Sequence, residues 1–167
     1  MDQELANVTI HRATNEDVEG IVDLIAATAA EGSWIATELP FDRPERVGRL
    51  KTLLAESSGT AFVATAGSLI IGELTVYTHW PGLLALVMVV SADWRGKGVG
   101  SRLMESCIRW AQEAGAHKIT LEVFPHNDVA LALYRKFGFL QEGYFSRHLR
   151  RHNGDLWDVM VLSRFLK

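Results

Sequence analysis

The residues of this chain best suited to chemistry begin with Arg95-Gly96-Lys97-Gly98-Val99-Gly100-Ser101. Alternating glycines let a backbone turn tightly, approach a ligand and aim several N–H groups one way at a helix start, which is the geometry of a phosphate site. Arg95 and Lys97 add positive charge beside it. Spacing excludes two common phosphate loops. No GxxxxGK is followed by Ser or Thr, and GxGxxG fails because Ser101 or Leu103 stands where the third glycine belongs. An Arg-x-x-Gly-x-Gly pattern remains, with a plain helix-capping turn as the competing reading. Asn127 and Tyr134 follow, seven residues apart on one helical face. Asn127 reads equally well as an N-cap, and Tyr134 as a core residue in the stripe Ala130, Leu133, Tyr134, Phe137. Two carboxylates, Glu122 in Thr120-Leu121-Glu122-Val123 and Glu73 in Gly72-Glu73-Leu74, occupy strand-like segments where a solvated glutamate is the alternative. Of the six histidines only His148 and His152 are spaced i,i+4, which serves a metal only on a helix, and their segment reads as a hairpin. No metal site is expected. Cys107 falls on a buried helical stripe, as packing and not as an acyl-carrying nucleophile.

The elements that must hold these residues alternate between strand and helix. Val8 to Arg12 reads as a strand. Thr14 and Asp17 resemble a capping box before a helix with Val18, Ile21, Val22, Ile25 and Ala29 on one face, ending near Gly32. Ser33 to Pro44 reads as a loop, and Val47, Leu50 and Leu54 mark a second helix. Thr60 to Thr65 and Leu69 to Tyr77 form a hairpin, and Leu83 to Val90, apolar on both faces, is a central strand that feeds the glycine loop. Val99, Leu103, Cys107 and Ala111 then stripe a helix closed by Gly115. Ile119 to Val123 is the next strand, Asp128 to Phe137 a helix capped by Gly138, and Phe139 to Tyr144 and Leu156 to Phe165 close the sheet.

Taken together, the Arg95 loop and the segment Asn127-x-x-Ala130-x-x-Leu133-Tyr134-x-Lys136-x-Gly138-Phe139 resemble the GNAT superfamily of acetyl-CoA-dependent N-acetyltransferases. Val8 to Thr14 is similar to that family's first strand, and Gly138 to Gly143 with Asn153-Gly154-Asp155 is similar to its closing hairpin. The resemblance implies an α/β (α+β) fold of one domain, 1–167, with a mixed, mostly antiparallel sheet of six to seven strands and about four helices. It also implies acetyl-CoA as cosubstrate, with the pyrophosphate on residues 95–101, including Lys97 and Val99. The pantetheine arm would pair with backbone around Met88, Val89 and Val90 and reach Asn127, with Lys136 in the same donor site. Tyr134 would give a proton to the departing thiolate. Many relatives place a carboxylate on the strand before the glycine loop, whereas Leu83 to Val90 has none. Glu122 is therefore the expected base, with Glu73 as a second carboxylate for the same cleft. Trp34, Glu38 and Leu39 would line the acceptor site by position. An α-amine, with a pKa of about 7.7 to 8.0, requires less of a base than a lysine near 10.4.

Composition sets outer bounds. The 167 residues suit one domain, and 48% hydrophobic residues with a formal charge of −3 suit a globular protein without pull toward nucleic acid. The longest apolar run is far below the ~20 residues of a membrane span, and Asp2, Glu4, Glu16 and Asp17 speak against a leader. One cysteine fits a reducing, cytoplasmic setting. Arg147, His148, Arg150, Arg151 and His152 read as a solvated hairpin tip, with attraction of an acidic substrate or of coenzyme phosphates as the alternative. The expected acceptor is a primary amine of a small molecule. Alternatives are a protein N-terminus or lysine, and, from another class, a non-catalytic acyl-CoA-binding module. A homodimer, common among relatives, would use Trp80-Pro81 or Trp157.

Overall fold

The structure, a computed structural model, describes residues 5–166; Asp2 and Glu4 lie outside them. Strands β1 (Val8–Arg12), β2 (Gly59–Ala66), β3 (Leu69–Trp80) and β4 (Leu83–Val90) run antiparallel as neighbours. β5 (Lys118–Val123), β6 (Leu140–Arg150) and β7 (Leu156–Phe165) extend the sheet in the order β1-β2-β3-β4-β5-β7-β6. Among the described residues the longer α-helices are α1 (Val18–Ala30), α2 (Arg43–Ala55), α3 (Val99–Glu113) and α4 (Asp128–Lys136). This agrees with the α/β fold that the resemblance implies, a mixed, mostly antiparallel sheet of six to seven strands with about four helices.

Only β4 and β5 pair in parallel, and only at Leu83–Lys118, Leu84–Ile119 and Ala85–Thr120. Beyond Ala85 the two strands separate. Two apolar cores pack on opposite faces of the sheet. Val99, Leu103, Met104 and Cys107 of α3, with Leu131 and Tyr134 of α4, cover Leu74, Val76, Leu84 and Leu86. Val18, Ile21, Val22 and Ile25 of α1, with Leu50 of α2, cover Ala61, Val63 and Val89. By strand alternation Glu73 and Thr75 face the α1–α2 side.

Local sequence explains most boundaries. The Asp42 side chain accepts the Glu45 N–H at 2.8 Å, so α2 starts at Arg43 and places Pro44 in its first turn. The loop expected to reach Pro44 thus ends sooner, because proline's missing N–H is no loss there. The Thr14–Asp17 box forms in part: the Asp17 carboxylate accepts the Thr14 N–H at 2.8 Å, and α1 begins at the next residue. β6 runs to Arg150, six residues past the expected end. Trp80 is 71% exposed, whereas Trp157 packs against Phe124 and His126.

Gly72 brings α3 onto β3: a Cβ there would stand 3.0 Å from Val99 Cγ1 and 3.1 Å from Leu103 Cδ1. Gly48, in the middle of α2, has nothing within 4 Å of its Cβ position. Gly72→Val should therefore cost about 1–3 kcal/mol through overpacking, and Gly48→Ala should stabilise by about 0.5–1 kcal/mol through helix propensity. Urea unfolding of the two variants beside wild type measures both signs.

Candidate active site

Where β4 leaves β5, a cavity of about 600 Å³ opens between the strands. Met88, Val89 and Val90 line it along the β4 edge, which from Leu86 onward has no strand partner on the β5 side. Its lining includes Arg95, Gly96, Gly98, Gly100 and Ser101 of the glycine loop, Asn127, Tyr134 and Lys136 of the α4 segment, and Trp34, Thr37, Arg46 and Glu73. Trp34 lies against Arg95, whose guanidinium carbon is 5.8 Å from its ring centre. The cavity thus unites most of the residues selected from sequence.

Gly98 is the N-cap of α3 with φ +91°, a left-handed conformation that disfavours any residue with a Cβ. Gly100 admits α4, since a Cβ there would lie 2.9 Å from Leu133 Cδ2. Lys136 Nζ donates to Ser101 Oγ at 3.2 Å, joining α4 to the loop. Lys97 lies outside the lining, over the Trp94 ring at 5.3 Å, and Val99 is wholly buried in the core. The Val99 side chain is a packing group at a helix start, and Lys97 is not a cavity residue.

Arg95 is not a mobile charge, as its place in a glycine loop suggests. Its Nε donates to Val90 C=O at 2.9 Å, and its two terminal nitrogens donate to both Glu31 oxygens at 2.6 and 2.7 Å. Glu31 also accepts Trp34 Nε1 at 2.8 Å. The Arg95 hydrogen bonds hold the Glu31 carboxyl below its ordinary pKa. This bidentate pair ties the end of α1 to the glycine loop.

Glu38 and Leu39 lie in a separate small recess with Arg151, His152 and Trp157, outside the main cavity. Glu38 pairs with Arg151 Nε at 3.5 Å and accepts the His152 N–H at 3.1 Å. Arg151 is not part of a solvated tip: it is 4% exposed, 4.3 Å from the Trp157 ring centre, and donates to Ile35 and Ala36 carbonyls at 3.2 and 3.1 Å. It was misread because the exposed neighbours Arg150 and His152 hide one inward residue at a turn. His126 Nε2 donates to Ser33 C=O at 2.7 Å and stacks on Phe124. Together these contacts fix residues 33–37 as one wall of the cavity.

The two carboxylates differ sharply. Glu122 lines the cavity from β5, yet its side chain is exposed. Glu73 is 1% exposed, on a strand buried on both faces from Ile71 to Val76. Its Oε2 accepts the Thr75 hydroxyl at 2.9 Å, and its Oε1 has no hydrogen-bond partner. Burial pushes the Glu73 carboxyl up to about 7 against the smaller lowering effects of Thr75 and the Arg46 charge. Sequence alternation, which treats β3 as half-exposed, undervalued this residue. Arg46 was missed altogether, although it lies four residues before Leu50 on the same helical face as Val47.

Tyr134 is 6% exposed and packs on Phe139, so it is a core tyrosine and a cavity residue at once. Burial first, and the Glu73 charge second, raise its hydroxyl above the ordinary tyrosine value. It is therefore held protonated. The Asn127 side-chain oxygen accepts the Ala130 N–H at 3.2 Å, a true N-cap, and its amide nitrogen remains as a donor within the lining. Burial pushes the Cys107 thiol up to about 12, consistent with packing alone.

A parted parallel pair with a glycine loop at the helix that follows it defines a class of acyl-coenzyme A-dependent transferases. The acetyltransferase (GNAT) family pattern matches residues 25–139, and the chain belongs to that family. It is 26% identical to the L-amino acid N-acetyltransferase AaaT of Escherichia coli (strain K12), over 96% of this chain and 99% of that one. It is 36% identical over 72 residues to YwnH of Bacillus subtilis (strain 168), 43% of this chain and 44% of YwnH, so the match spans less than half of that relative. The phosphinothricin acetyltransferase Pat of Sinorhizobium meliloti, solved in complex with AcCoA, superposes with a TM-score of 0.85 at 20% identity, over 96% of this chain and 89% of that one. Its likeness establishes the fold.

Two outcomes follow from this geometry. Gly98→Val should weaken acetyl-CoA binding about tenfold by penalising the left-handed cap, as measured by calorimetry. Glu73 takes its proton more tightly when folded than its ordinary value of 4.5, so its burial costs nothing below that value and progressively more as pH rises through about 7. Relative to wild type, Glu73→Gln should gain about 3 kcal/mol of stability between pH 4.5 and pH 8, as read from denaturant midpoints.

Proposed function

We propose that this chain, 1–167, is one catalytic domain that transfers an acetyl group from acetyl-CoA to a primary amine of a small molecule, an amino acid among the candidates. The amine attacks the thioester carbonyl directly in a ternary complex: the C–N bond forms and the C–S bond breaks. The amine's proton passes to Glu73, directly or through water, and the Tyr134 hydroxyl protonates the departing thiolate. The observation that carries this reading is the shared lining of one cavity by Tyr134, the glycine loop and the buried Glu73, whose Oε1 has no hydrogen-bond partner among the described residues. The loop's N–H groups and Lys136 would hold the pyrophosphate, and the unpaired edge of β4 would take the amide-bearing arm. Glu73 replaces Glu122 as the favoured base, because burial pushes its carboxyl up to about 7, matched to accepting a proton near neutral pH.

A small acceptor is supported by the apolar wall that Trp34, Ile35 and Ala36 give the cavity, and by the relative AaaT, an L-amino acid N-acetyltransferase that the chain matches over nearly its whole length. No described helix is long and apolar enough to cross a membrane. A cytoplasmic setting is supported by the single buried thiol, and the exposed Trp80 is the surface we favour for a homodimer.

Coenzyme A release is to be measured against amino acids, polyamines, aminoglycosides and basic peptides. Tyr134→Phe and Glu73→Gln should each lower kcat by about 10² or more, while Glu122→Gln stays within a few-fold of wild type. Wild-type kcat/KM, expressed on the concentration of neutral amine, should rise with pH through about 7 as Glu73 loses its proton, and this rise should vanish in Glu73→Gln. Undiminished turnover in Tyr134→Phe would remove it from the mechanism, and acetyl-CoA binding without turnover of any amine would favour a binding module.

A further inference from the structure

We infer that Arg46 is the group that selects the acceptor, and that the acceptor carries an oxyanion, a carboxylate or its equivalent, close to the amine that is acetylated. The inference rests on the reading of the cavity as the acetyl-transfer site.

Of the cations that line this cavity, Lys136 lies beside the glycine loop, where it donates to Ser101 Oγ at 3.2 Å. Arg95 is neutralised by both oxygens of Glu31, and Arg151 pairs with Glu38. On α2 itself, Arg43 pairs with Glu19 and Asp23, and Arg49 with Glu45. Arg46, between those two, has no carboxylate within ion-pair distance among the described residues. It lies half-buried on the inner side of α2 and lines the cavity. Its contacts are one hydrogen bond to Thr37 Oγ1 at 3.3 Å and the Phe41 ring, 4.7 Å away. A guanidinium has five donors in a rigid fork that fits a carboxylate, and here most of them remain unspent.

Such a charge among apolar side chains is costly unless something pairs it. Glu73 is the carboxylate whose titration feels Arg46, but burial dominates over that attraction, and the Glu73 hydrogen bond goes to Thr75 and not to the guanidinium. Both groups therefore present an unsatisfied polar function to one space: an oxyanion acceptor from Glu73 and a donor fork from Arg46. A molecule with an ammonium and a carboxylate satisfies both at once. A simple alkylamine or a polyamine satisfies only Glu73 and leaves Arg46 unpaired.

The test compares α-amino acids with their own carboxamides, in wild type and in Arg46→Met and Arg46→Lys. It measures kcat/KM for acetylation and also binding of acid and amide to the enzyme–coenzyme A complex. Wild type should prefer the acid by roughly 10²-fold, the scale of one charge-assisted bidentate contact. Arg46→Met should bring the ratio close to one through KM, and Arg46→Lys should restore part of it. Acetyl-CoA affinity reports that each variant is folded. Were Arg46 only packing α2, or only adjusting Glu73, acid and amide would change together and the ratio would survive, which overturns the inference. Equal handling of acids and amides by wild type overturns it too. Acid-selective binding that Arg46→Met abolishes, without turnover of any amine, would sustain the anion site while sinking the acetyl-transfer reading.

Discussion

The structure depends on where one parallel strand pair stops. β4 and β5 share three residues of register, and Leu86 to Val90 then run on without a neighbour on the β5 side. Backbone N–H and C=O groups left without partners inside a fold are costly, so such an edge is a natural place for an extended ligand to complete the sheet. Because α3 and α4 cover one face and α1 and α2 the other, the gap runs through the sheet. The glycine loop, Trp34 and Arg46 all line that gap. The proposed direct transfer suits such a shared cavity, whereas Cys107 is buried in the core.

Charge is distributed with the same asymmetry. At the rim, Glu31 holds both Arg95 and Trp34, and Glu38 holds Arg151, which donates in turn to the Ile35 and Ala36 carbonyls. Inside, Glu73 and Arg46 are left incompletely satisfied. The rim pairs give rigidity, and the interior groups are the ones the proposed chemistry draws on. A buried carboxyl with an idle oxygen lowers stability at neutral pH, a common cost of a preorganised site.

Most of the fold was legible because its signals are periodic: apolar stripes at helical spacing for α1 and α3, an uninterrupted apolar run for β4, and glycines at positive φ closing α3 and α4. The donor half of the site was legible for a different reason, since a glycine loop leading into a helix and the Asn127–Tyr134 segment are contiguous in sequence. The acceptor half is assembled from separated residues. Nothing local distinguishes Glu73 from a solvated strand glutamate, because its burial comes from α1 and α2 far away in the chain. Arg151 and Glu38 lie 113 positions apart, and only the tertiary turn of β6 into β7 reveals that they pair.

The acceptor wall includes α2, and α2 is lightly held. Of its thirteen residues only Leu50 is buried, and Gly48 interrupts its middle, whereas α3 buries six side chains. The free energy needed to detach a segment scales with the apolar surface it gives up. Amide hydrogens in α2 should accordingly exchange with solvent through a local opening, and those of α3 only on unfolding of the whole sheet. Hydrogen exchange would read these as two cooperative units, and the boundary between them runs along the cavity.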